Sequence, residues 1–266
     1  MLLATLFGVV MGLILGLTGA GGGILAVPAL VLGLGWSMTH AAPVALFAVG
    51  SAAAVGAIDG LRHGLVRYRA ALLIALLGAV FSPVGIYFAH QLPEKNLMIL
   101  FSLLMVIVAW RMLRRESPQV GPSDHGSASW GQKNCMLDQQ TGRLSWTAKC
   151  TATLAALGAV TGVVSGLLGV GGGFLIVPAF KQLTDVQMRG IVATSLMVIS
   201  LISAIGVIGA FHAGVTIDAL GAGFIVASIV GMVVGRRLCA RVPARALQVG
   251  FASVCLVVAG YMLLKA

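Results

Sequence analysis

Apolar residues run along this chain in long continuous blocks, and polar residues gather between the blocks. A helix that is apolar on all sides belongs in a large core or in a membrane. Six blocks are unbroken, at 38–60, 69–91, 95–113, 188–211, 216–238 and 244–264. Each has about the 20 residues that a helix needs to cross a bilayer. Two further blocks, 2–34 and 151–183, are interrupted by glycine runs. In the first, the arms 2–17 and 24–34 would be about 24 Å and 16 Å long as helices, at ~1.5 Å per residue. Neither alone covers a hydrocarbon core of ~30 Å. The pattern predicts two arms meeting at the glycines inside the membrane.

The two interruptions are copies. GLTGAGGGILAVPAL at 16–30 returns as GLLGVGGGFLIVPAF at 166–180. Laid over each other without a gap, 8–29 and 158–179 agree at 13 of 22 positions. The offset of 150 holds downstream, where Gly56 meets Gly206, Gly64 meets Gly214, Gly85 meets Gly235, and Pro93 meets Pro243. The expected organisation is a first membrane repeat at 1–115, a polar linker at 116–147 and a second membrane repeat at 148–266. The linker has no apolar run able to span, and Trp130, Trp146, Cys135 and His125 within it read as residues of a soluble loop. The fold class is all-α and polytopic, each repeat a glycine-broken helical hairpin plus three transmembrane helices.

Composition agrees: the 266 residues are 59 % hydrophobic and 9 % charged, against about 25 % charged in a soluble domain. The formal net charge of +10 would suggest nucleic acid in a soluble protein. Here the basic residues sit in short segments between apolar blocks, which points to topology and anionic lipid headgroups. Arg62, Arg67 and Arg69 follow the second block, whereas the matching loop around His212 and Asp218 has no Lys or Arg. Conversely, the segment with Arg236, Arg237, Arg241 and Arg245 matches one holding only Lys95. The basic loops have changed sides, so the second half is expected to be inverted. With each broken block as a hairpin, both termini face outside and the linker is cytoplasmic. All of the 17 Lys and Arg except Lys95 and Lys265 then lie inside. Cys135, Cys150, Cys239 and Cys255 form no CxxC pair, so neither a metal site nor a disulfide framework is expected.

Candidate chemistry is mostly backbone. The acidic residues Asp59, Glu94, Glu116, Asp124, Asp138, Asp185 and Asp218 fall in loops or at block ends. No paired carboxylates or Ser/His/Asp set supports an enzyme, and the glycine runs lack the Lys-Ser/Thr of a phosphate-binding loop. No cofactor is expected. A helix starting after a glycine run presents unpaired N–H groups, where its dipole favours an anion. Two inverted breaks would make a small anion site needing few charged side chains. The candidate substrate-binding residues are Thr18, Gly19, Gly21, Gly22, Gly23 and Pro28, with Gly169, Gly171, Gly172, Gly173, Pro178, Thr194 and Ser195. The glycines could equally serve close helix packing, and Ser or Thr could bond their own helix carbonyls. Gly22→Val and Gly172→Val are expected to abolish transport in a folded protein, and Gly8→Ala to be mild.

The paired GLxGxGGGxLxVPA motif, the duplicated halves and the length resemble the TauE/SafE sulfite exporter family, also called the toluene sulfonate uptake permease family. The resemblance covers nearly all the chain except the linker. It implies a multi-pass transporter in the inner membrane of a bacterium or archaeon, moving sulfite, sulfonates or related organosulfur anions. The motif positions are the glycines and prolines named above. The family's small polar pair in the following helix matches Thr194-Ser195, whereas the first half has Val44-Ala45. The function expected is a secondary, proton-coupled transporter whose partners are a small anion and membrane lipids. The alternatives are a passive anion channel or a membrane-embedded enzyme. The sequence leaves the oligomeric state open.

Overall fold

A computed structural model describes residues 2–19, 22–114, 135, 147–168, 172–184, 188–212, 218–239 and 244–265. Ten helices hold nearly all of them: α1 Leu2–Thr18, α2 Gly23–Leu34, α3 Met38–Arg62, α4 Tyr68–Gln91, α5 Glu94–Arg114, α6 Ala148–Leu168, α7 Gly173–Leu183, α8 Met188–His212, α9 Ala219–Cys239 and α10 Ala244–Lys265. Among the described residues the only β contact is an isolated bridge between Cys135 and Thr184. The ends of the helices follow the 150-residue register closely; α3 and α8 are both 25 residues long, from Met38 and Met188. Five helices among the described residues are long and apolar enough to cross a membrane, within α3, α4, α6, α8 and α9. Shorter apolar segments occupy α1, α2, α5 and α10. The first arm of the second broken block is therefore longer than expected: α6 has 21 residues where α1 has 17.

The halves interlock. α1 of the first half packs along α9 of the second, and α6 of the second along α4 of the first, while α3 meets α8 and α5 meets α10. Glycines permit the closest approaches. A Cβ on Gly8 would lie 2.6 Å from the Phe224 carbonyl oxygen, and one on Gly16 would lie 3.0 Å from the Arg236 nitrogen. Residue numbers rise together, so α1 and α9 run parallel. On the other side a Cβ on Gly158 would lie 2.8 Å from the Ile74 carbonyl oxygen and one on Gly166 3.1 Å from the Ile86 nitrogen, so α4 and α6 are also parallel. Gly60 abuts Ala193 and Gly50 abuts Ser203, so α3 and α8 run antiparallel. Gly22 lies against Leu15 and Gly33 against Phe7, which folds α1 and α2 into a hairpin.

The core is largely apolar, running from Met11 and Leu15 through Ala45, Ala48 and Ala52 of α3 to Phe101, Phe224 and Met232. A smaller cluster joins Ile74, Leu154, Ile176, Phe180 and Ile202. Large apolar side chains also cover the outside, among them Leu76, Val80, Tyr87, Val257 and Leu264. In water such a surface would be an aggregation site; in lipid it is the expected face.

Two expectations are corrected. Cys135 and Cys150 form a disulfide, with Cα atoms 5.0 Å apart. The bridge and the Cys135–Thr184 pairing tie the linker to the start of α6 and the end of α7. A separation of 15 residues with no motif gives no sequence signal for it. Gly8→Ala is not a mild change, because the carbonyl of Phe224 and the methyl of Ala227 already occupy the space that a Cβ needs. We expect Gly12→Val and Gly162→Val each to lower the melting temperature in detergent sharply, since both glycines face the backbone of a neighbouring helix. Gly209→Ala, at a helical position with open space, should hold or raise it, as alanine is favoured over glycine in a helix by about 1 kcal/mol. Equal melting temperatures for all three variants would contradict this packing.

Candidate functional site

The first break lies between α1 and α2, against α8. Gly19 ends α1 with φ +76, the left-handed conformation that favours glycine, and its Cα faces Val192 of α8. Gly22, by contrast, has ordinary helical angles, φ −57 and ψ −31. It is glycine because a Cβ there would overlap the backbone of Leu15. Gly23 starts α2 and is buried. The packing role weighed for these glycines thus holds at Gly22, and valine there would disturb the hairpin itself. In the second break Gly172 carries the left-handed angle, φ +63, and a Cβ on it would lie 2.8 Å from the Thr161 carbonyl oxygen. Gly173 starts α7 and is buried. Gly21, Gly169 and Gly171 lie outside the described residues.

Pro28 is buried inside α2 rather than at its start. With no N–H of its own, it leaves the Ile24 carbonyl without its usual helical donor. Pro178 holds the matching position inside α7. The arms that follow the two breaks touch, since α2 packs on α7.

The proposed hydroxyls are mostly engaged. Thr18 Oγ1 donates to the Ile14 carbonyl at 2.7 Å, Thr194 Oγ1 to Gly190 at 2.7 Å, and Ser195 Oγ to Ile191 at 2.8 Å. Thr194 and Ser195 are fully buried. Thr194 Oγ1 also accepts the backbone N–H of Arg67 at 3.1 Å, which pins the start of α4 to α8. Ser203, further along α8, is fully buried against Gly50, and its Oγ has no hydrogen-bond partner.

Sequence reasoning passed over one charged constellation. Arg236 of α9 donates through Nη2 to Asp59 Oδ2 and through Nη1 to the Gly56 carbonyl at 3.0 Å. His63 Nδ1 donates to the Asp59 carbonyl at 2.8 Å and lies 3.5 Å from Oδ1. The signal was weak, because Asp59 sits at the end of the apolar block 38–60 and reads there as an ordinary block-end acid. Among the described residues no group of three or more His, Cys, Asp or Glu could hold a metal. An apolar cleft between α5 and α6, lined by Leu100, Leu104, Val163, Val164, Leu167 and Leu168, offers nothing to an anion.

Interlocked apolar helices with glycine-broken hairpins define a multi-pass α-helical membrane protein. The chain belongs to the sulfite exporter TauE/SafE family, whose pattern it matches over residues 4–262. It is 32 % identical over 193 residues to a probable membrane transporter protein of Xylella fastidiosa (strain 9a5c), covering 72 % of this chain and 67 % of that one. A probable membrane transporter protein from Xylella fastidiosa (strain Temecula1 / ATCC 700964) is 29 % identical over 244 residues, covering 89 % and 84 %. The probable membrane transporter protein YunE of Bacillus subtilis is 26 % identical over 210 residues, covering 74 % and 75 %. No solved structure matches. The family and these names point to a membrane transporter rather than an enzyme.

Thr194→Val should leave the Arg67 N–H without its acceptor. We expect a loss of about 1–3 kcal/mol in stability, seen as a lower melting temperature. Thr194→Ser keeps the acceptor and should recover most of it. If serine is no better than valine, the hydroxyl contact is not what matters at this position.

Proposed function

We propose that this protein is a secondary transporter of small sulfur-containing anions such as sulfite or a sulfonate, proton-coupled, with the substrate bound at the paired helix breaks. The observation that carries the reading is the duplicated glycine-broken hairpin in a chain of the TauE/SafE family. We take residues 1–115 and 148–266 as repeats of inverted topology joined by the linker 116–147. In support, α3 runs antiparallel to its counterpart α8. α1 and α3 both run parallel to α9, whereas α6 and α8 both run parallel to α4. Counterpart helices therefore point in opposite directions.

In this reading the N–H groups at the starts of α2 and α7 are the main anion donors, and the contact between α2 and α7 supports a shared region for them. Thr18, Thr194 and Ser195 take part only if their hydroxyls rotate away from their own helix carbonyls. Ser203 has a free donor already. We favour a carrier over an open channel because two interlocked halves can rock against each other around a shared site. The test is reconstitution into liposomes with sulfite, sulfate, thiosulfate, sulfoacetate and taurine. We expect saturable flux of at least one of them, with competition among similar anions and a dependence on the proton gradient. No flux of any from folded protein would overturn the substrate class, and flux that follows voltage without saturating would favour the channel.

We place the protein in the inner membrane with both termini outside and the linker inside, on the strength of the basic residues. The Cys135–Cys150 bridge favours the opposite placement, because disulfides are rare in the cytosol. Single cysteines near 3 and 265 should react with an impermeant thiol reagent from outside intact cells, and cysteines in the linker only after the membrane is opened. Labelling of the linker alone would reverse the orientation. Labelling of the two termini from opposite sides would exclude inverted repeats.

A further inference from the structure

The two ends of the bundle are alike in backbone and different in charge. At one end the Cα of Gly16 closes on the Arg236 nitrogen, and at the other the Cα of Gly166 closes on the Ile86 nitrogen, with ideal Cβ distances of 3.0 and 3.1 Å. Arg236 and Ile86 are counterparts in the 150-residue register, as are Asp59 and Gly209. The first end carries the Arg236–Asp59 ion pair. The second has Ile86, which is exposed, and Gly209, which no atom would approach within 4 Å of a Cβ. The repeat is thus its own control: the same helix junction closes without the counterpart of this ion pair. A pair this open to solvent also adds little to stability.

Its surroundings suit a ligand better than a brace. The Asp59 side chain is 44 % exposed and that of Arg236 25 %, so water reaches both. The first break is close by. Gly19 faces Val192, the adjacent Ala193 abuts Gly60, and Arg236 Nη1 would lie 3.3 Å from a Cβ on Gly56, one turn earlier on α3. Arg67 adds a second guanidinium near this end of the bundle. Its backbone is held by Thr194, yet its Nε is buried with no hydrogen-bond partner. A guanidinium is a planar fork that takes two oxygens of a carboxylate or of a sulfur oxyanion alike.

We propose that Arg236 is the first contact for the transported anion, and that Asp59 is its built-in competitor. The carboxylate occupies the guanidinium until a substrate oxyanion replaces it. The exchange keeps the guanidinium paired with an oxyanion throughout. This inference rests on the anion-transport reading and adds to it a residue outside the glycine motifs.

The test separates a site from a brace, because partners in a brace fail together and partners in this site fail in opposite directions. Sulfite is the probe, with binding measured by calorimetry on the full-length protein in detergent and uptake measured in liposomes. We expect Asp59→Asn to bind sulfite several-fold more tightly. Arg236→Gln should bind it about tenfold or more weakly. Arg236→Lys should fall between Arg236→Gln and the unaltered protein, and Asp59→Asn combined with Arg236→Gln should follow Arg236→Gln. Melting temperatures of the single variants should stay close to that of the unaltered protein. Equal weakening by Asp59→Asn and Arg236→Gln, with equal loss of thermal stability, would overturn the inference and leave the transport reading standing. If the unaltered protein neither binds nor moves sulfite, sulfate, thiosulfate, sulfoacetate or taurine, the transport reading falls and this inference falls with it.

Discussion

A peptide group in hydrocarbon must find a hydrogen-bond partner or be screened from lipid, and a helix broken inside a membrane leaves several without one. This chain breaks its helices twice at glycine runs, and the packing around both breaks is close. Each break is wrapped by helices of both halves: α1 and α2 by α3, α8 and α9, and α6 and α7 by α4 and α8. Shelter requires close approach, which explains why glycine recurs along α1 and α6 at positions facing a neighbour's backbone. What reads in the sequence as flexibility is largely contact.

The regular parts of this fold are legible because membrane helices satisfy their own backbone groups and announce themselves locally. The block at 38–60 becomes Met38–Arg62, and that at 188–211 becomes Met188–His212. The hairpin was expected from the glycine runs, the short arms and the charge placement together, before any contact was known. Pairing across the halves could not. That Gly8 faces Phe224 is a fact about residues more than two hundred positions apart, and no local period encodes it. The same holds for Cys135 with Cys150, whose approach depends on where α6 and α7 bring the linker.

The candidate site was legible in its motif and less so in its chemistry. The glycine runs are unmistakable, yet Gly19 and Gly22 hold their identity for different reasons, one for a left-handed backbone and one for space. The Thr194 hydroxyl, a candidate ligand for an anion, also anchors the Arg67 backbone across the α4–α8 junction, which no local pattern announces. Asp59 was visible as an acid at the end of an apolar block, but its partner Arg236 lies 177 positions away. Motifs report what a duplicated unit shares. The charged residues that differ between copies are what can give the two faces different behaviour.

The exchange of partners between halves also bears on how the molecule is made. α1 leaves the ribosome well before its principal neighbour, α9, which comes more than two hundred residues later. Until then the glycine face of α1 has only lipid or the insertion machinery against it. The first five helices can insert, but they cannot complete their packing. Assembly must wait for α9, which makes this docking step one of high sequence separation and slow closure. A chain truncated within the second half would strand an open glycine-lined groove in the membrane, and quality-control proteases that sense unpacked helices would have a clear target.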